Sequence, residues 1–181
     1  MLKTLRDHLP EYLMEAALLG LFMISAGVFT TIFEYPDSLI HQAIPNSNVR
    51  LVFIGIAMGL TASALIYSPW GKQSGAHINP AVTLTFYRLG KVKRWDAVFY
   101  ILFQFIGGLI GVYLVALTLH ELFTQPPVNY VVTIPGRLGW LPALLGELAI
   151  AFIMMMTVLV TSNNHKLNKF TGAFAGCLVA L

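Results

Sequence analysis

The chain has 181 residues, 57% of them hydrophobic and 10% charged, with a mean hydropathy of +0.74 and a formal net charge of +3. Soluble domains are about 45–50% apolar and about 25% charged, so this is the composition of one integral membrane unit. So small a charge gives no support for a nucleic-acid partner, and the single cysteine, Cys177, rules out an intrachain disulfide and reads as a small buried residue.

Residues 1–11 are polar and carry Lys3, Arg6, Asp7 and Glu11. The apolar run behind them is long and has no small-residue cleavage site, which argues against a secretory signal. Crossing a hydrocarbon core takes roughly 20 apolar residues in a helix. Tyr12–Phe33 meets that length, with Glu15 as its lone charge; Leu51–Tyr67 is shorter but uncharged. Ala97–Leu119 follows, with Gln104 as its main polar residue, then Leu141–Thr161 with Glu147 as its one charge. Phe170–Leu181 opens a fifth run that is too short to cross. Tyr12, Tyr67, Trp70, Trp95 and Trp140 read as anchors at the membrane interfaces.

Between the second and third spans lies SGAHINPAVT, residues 74–83. Asn79 is a good N-cap, Pro80 suits the first helical position, and Gly90 is placed to stop the helix. A helix over 80–89 rises only about 15 Å, half the core. The positive-inside rule gives the same reading. If 74–90 enters and leaves on one face and the N-terminus is cytoplasmic, nine Lys and Arg lie inside and only Arg50 and Arg137 outside. A full crossing would place Lys72 opposite Lys91, Lys93 and Arg94. The segment is therefore expected to be re-entrant, with its non-helical entry facing protein or a water-filled cavity.

A loose internal repeat is also visible. Glu15 and Glu147 each stand alone near the start of a span, and Gly55/Gly59 matches Gly172/Gly176 in spacing. An odd number of spans between copies inverts the second, a transporter and channel signature with the site at the midplane. The glycine pairs, with Gly107/Gly111, read as packing devices. The five histidines show no metal-ligand spacing, and no phosphate loop or nucleophile constellation is present, so the reading is of a non-enzyme without cofactor or metal.

These residues resemble the aquaporin and glycerol-facilitator family, the major intrinsic proteins. The likeness rests on SGAHINPAVT, on Glu15, Glu147 and Gln104 within their spans, and on the Arg/Lys-rich stretch after the half-helix, and it covers essentially the whole chain. It implies an all-α membrane fold, an inverted repeat of three transmembrane helices plus a re-entrant half-helix. Residues 1–119 would form the first repeat, 120–139 an extracellular connecting loop and 140–181 a partial second repeat. The second signature loop, its trailing pore Arg, the sixth helix and most of the fifth would lie outside these residues, so the chain is expected to be truncated within the fifth helix. These residues alone are not expected to complete the family's pore.

The resemblance further implies a passive channel for water and small neutral solutes such as glycerol, closed to ions and protons. It implies a homotetramer in the plasma or inner membrane, in contact with lipid. Pore-lining roles fall on Gly75, Ala76, His77, Ile78, Asn79, Pro80 and Ala81, and Met58 takes the place of an aromatic in the outer filter. A thioether makes a less rigid wall than a ring. The charge at a helix N-terminus would oppose cations, Asn79 would cap the half-helix and donate into the pore, and the carbonyls of 75–78 would form an acceptor ladder. Glu15, Glu147 and Gln104 would support the signature loops. Three alternatives stay open: ion- or proton-coupled transport through Glu15 and Glu147, a non-conducting structural protein, and a purely structural His77.

Overall fold

A computed structural model describes residues 1–181 and contains ten α-helices and no strand. They are α1 (Leu2–Asp7), α2 (Leu9–Glu34), α3 (Leu39–Ala43), α4 (Ser47–Tyr67), α5 (Pro69–Ser74), α6 (Pro80–Arg88), α7 (Arg94–Leu119), α8 (Glu121–Thr124), α9 (Trp140–Ser162) and α10 (Thr171–Ala180). Four of them, α2, α4, α7 and α9, are long and apolar enough to cross a membrane. Only 25 of 181 residues are buried. Leu102, Phe105, Ile106, Leu109 and Tyr113 line the outside of α7, a face that suits acyl chains and would be costly in water.

α4 begins earlier than hydropathy suggests because its polar first turn is capped. Asn46 Oδ1 accepts from Asn48 N at 2.9 Å and Val49 N at 3.4 Å, so α4 starts at Ser47 rather than Leu51. Ser68 caps α5 in the same way, accepting from Gly71 N at 3.0 Å with Pro69 at the first position.

Glycine sets the packing. α2 crosses α7 where Gly20 meets Gly107, and a Cβ on Gly107 would collide with the Ala16 carbonyl. α4 crosses α10 at Gly59 and Gly176, where a Cβ on Gly59 would strike the Gly176 carbonyl. In lipid no hydrophobic drive draws helices together, so backbone approach at small residues carries the association. α9 packs against α10.

Polar pairs mark the two ends. At one end His8 Nδ1 lies 2.7 Å from Asp96 Oδ1, Tyr12 donates to the same oxygen at 2.6 Å, and Gln73 Nε2 donates to Glu11 Oε1 at 3.1 Å. Both flanks of residues 74–93 are therefore tied to the start of α2, and the segment enters and leaves at the same end. At the other end Arg50 forks onto Glu34, with Nε 3.1 Å from Oε1 and Nη2 3.0 Å from Oε2. Arg50 Nη1 also donates to the Ile44 and Pro45 carbonyls.

Three expectations are refined. Tyr12, in the polar cluster at one end, is fully buried, because its hydroxyl finds Asp96 and its ring packs against Phe99, Tyr100 and Phe103. Cys177 is exposed, because α10 turns its neighbours Ala175 and Gly176 inward toward α4. Residues 120–139, expected as loop, contain α8 and a 3₁₀ turn over Asn129–Val131.

Candidate pore site

α6 is the half-helix, and its bounds follow from its caps. Asn79 Oδ1 accepts from Ala81 N at 2.8 Å and Pro80 occupies the first position. Gly90, at φ +70°, closes the other end, with its own N–H donating to Tyr87 O and that of Lys91 to Phe86 O.

The loop before α6 is held by one carboxylate. Glu15 is fully buried and accepts four hydrogen bonds. Oε1 takes Ser74 Oγ at 2.7 Å and His77 N at 3.0 Å; Oε2 takes Ile78 N at 2.7 Å and Gln104 Nε2 at 2.8 Å. Gln104, also fully buried, donates onward to Thr83 Oγ1 at 3.1 Å. Thr83 in turn lies 3.0 Å from His77 Nδ1, and Tyr100 donates to the Ser74 carbonyl at 2.7 Å. The His77 ring stacks on Phe86, with centroids 5.1 Å apart.

That anchoring sustains an unfavourable backbone. Gly75, Ala76 and Ile78 have φ of +94°, +48° and +49°. The left-handed region costs a non-glycine residue about 1–2 kcal/mol and a β-branched one more. The carbonyls of Gly75, Ala76, His77 and Ile78 take no hydrogen bond from the rest of the chain. These residues and Asn79 line a cavity of about 290 Å³. Its remaining wall comes from α2, α4, α6, α9 and α10 and is apolar except for Ser162 and Thr171.

The structure thus brings Gly75, Ala76, His77, Ile78 and Asn79 to one cavity, with Glu15 and Gln104 behind them. Pro80 and Ala81 start α6 just beyond the lining. Met58 also lies outside it, one turn along α4 on the stripe of Ala62 and Ile66, with Sδ 3.8 Å from Ser25 Oγ. Glu147 stands apart, exposed on α9 with no hydrogen bond. Sequence reasoning missed Ser74, Thr83 and Tyr100. A signal existed for Tyr100, which sits four residues before Gln104 and so on the same helix face.

Four helices long and apolar enough to cross a membrane, with a half-helix that begins at a cavity, define a multi-pass α-helical membrane protein. Residues 3–181 match the family profile of the major intrinsic proteins. The chain is 29% identical over 154 residues to the putative aquaporin NIP4-1 of Arabidopsis thaliana, covering 84% of this chain and 52% of that protein. It is 31% identical over 137 residues to aquaporin AqpM of Methanothermobacter thermautotrophicus, covering 72% and 51%. To aquaporin-4 of Mus musculus it is 33% identical over 130 residues, covering 70% and 38%. This chain belongs to the major intrinsic protein family. It spans about half the length of the NIP4-1 and AqpM relatives.

Proposed function

We propose that this chain supplies the first half of a passive channel for water and small neutral solutes such as glycerol, closed to ions and protons. One observation carries the reading: unpaired loop carbonyls and a capped half-helix N-terminus line the same cavity. The carbonyls of Gly75, Ala76, His77 and Ile78 act as acceptors for a solute moving in file, and Asn79 donates to its oxygen at the start of α6. The positive end of the α6 dipole, with Pro80 and Ala81 in its first turn, opposes cations. Met58 lines the outer approach beyond Ala62. Glu15 and Gln104 support the loop. Glu147 holds the corresponding place in the second repeat.

The occupancy of Glu15 favours this reading over coupled transport. A carboxylate that spends both oxygens on four donors is committed to holding the loop rather than to exchanging a proton or ion. The distribution of Lys and Arg supports a cytoplasmic N-terminus in a cell membrane, and family membership supports a homotetramer.

The test is stopped-flow light scattering on proteoliposomes carrying the protein expressed from its complete reading frame. A passive pore speeds osmotic volume change equally with and without a pH gradient. Dependence on the gradient, or no flux above protein-free vesicles, overturns the reading.

A further inference from the structure

Thr171 opens α10, and its hydroxyl is the one buried side-chain polar atom without a hydrogen-bond partner. A hydroxyl stranded this way costs about 1–3 kcal/mol. The side chain lines the cavity beside Ile66, Val158 and Ala175, so it stands in an otherwise greasy wall. Only Ser162 shares that wall as a polar residue, and its hydroxyl turns back to the Leu159 carbonyl of its own helix at 3.4 Å.

The position of Thr171 is fixed from both sides. Tyr67 donates to the Lys169 carbonyl at 2.9 Å and accepts from Ala173 N at 3.0 Å. The backbone of the first turn of α10 is therefore pinned to the end of α4, which leaves only the Thr171 side-chain torsion to adjust on meeting a ligand.

We propose that Thr171 is a specificity-determining residue of this pore. A turn about its Cα–Cβ bond presents the hydroxyl to the cavity, where it bonds a hydroxyl of a passing polyol. The inference rests on the channel reading above. Its selectivity follows from what each solute carries. Water in file keeps water neighbours as partners, and losing one wall bond matters little. A polyol replaces those neighbours with its own carbon skeleton, so the wall must supply the missing bond.

The experiment compares glycerol and water flux in proteoliposomes made from the complete reading frame, as wild type, Thr171→Val, Thr171→Ala and Thr171→Ser. Valine keeps the shape and removes the hydroxyl. Glycerol flux is expected to fall about threefold to tenfold in the valine and alanine variants, with water flux changed less than about twofold. Serine should retain wild-type selectivity. If glycerol and water flux change together, or neither changes, Thr171 sets no specificity and the channel reading survives. If the wild type passes neither solute, the channel reading falls and takes this inference with it. Alanine keeps the test decisive should valine disturb the α4–α10 seam.

Discussion

Glu15 shows how one side chain shapes the site. Its two oxygens face Ser74 Oγ, two loop amides and the Gln104 amide, all donors. Glu15→Gln preserves shape but turns one acceptor into an NH₂ group pointed at donors. Bonds to a charged acceptor contribute about 1.5–3 kcal/mol each, so the loss should be roughly 3 kcal/mol. Thermal unfolding in detergent should show a lower Tm than wild type, and an unchanged Tm would detach Glu15 from loop support. Thr83→Val is expected to cost about 1–2 kcal/mol, since Gln104 then keeps one N–H without its partner. A double-mutant cycle with Glu15→Gln should be non-additive, because both residues act through Gln104. Glu15 and Gln104 were legible in the sequence because a lone polar group in an apolar span is conspicuous, and Asn79 because an Asn before Pro marks a helix start. Thr83 was not, and for Tyr100 the only signal was its place four residues before Gln104 on the same helix face. Either residue is ordinary in a membrane helix, and its polar tip gains meaning only once packing brings it to Gln104 or to the Ser74 carbonyl.

Between elements the deciding quantity is how closely two backbones approach, and adjacent glycines on α7 separate the effects. A Cβ on Gly107 would meet the Ala16 carbonyl, whereas one on Gly108 would rest at 3.5 Å from Leu19 Cδ2, an ordinary contact. Gly107→Ala should destabilise by about 1–3 kcal/mol as α2 and α7 are forced apart. Gly108→Ala should be neutral or stabilising by up to about 1 kcal/mol, since alanine is the better helix former. Urea or thermal unfolding of the two single variants, side by side, reads the difference; equal effects would contradict the packing. The four crossing helices were legible from hydropathy and length. Their first turns were not, because Ser47, Asn48 and Arg94 are polar yet helical, and at α4 the Asn46 cap rather than hydropathy sets the boundary. The short α1, α3, α5 and α8 left no apolar run to find.

At the scale of the molecule, everything about the cavity depends on residues 74–93 returning to the end they came from. The local sequence alone could not establish this: an Asn-capped helix of nine residues is equally at home in a surface loop. Two distant observations support it. The charge asymmetry of the loops favours an even number of boundary crossings there, and Gln73–Glu11 and His8–Asp96 tie both flanks to the start of α2. Single cysteines at Lys72, Lys93 and Asn48, in a Cys177→Ser background, test the arrangement in sealed vesicles with an impermeant maleimide. Lys72→Cys and Lys93→Cys should label from the same side, and Asn48→Cys, beside the Arg50–Glu34 pair, from the opposite one. An impermeant reagent reports sidedness whether or not the channel conducts, so the result bears on the fold independently of flux. Labelling of Lys72→Cys and Lys93→Cys from opposite sides would send α6 through the bilayer. That would put the unpaired carbonyls of Gly75–Ile78 into lipid, where each costs several kcal/mol. The buried Glu15 network, which holds Ser74, His77 and Ile78 against α2, fits the re-entrant path.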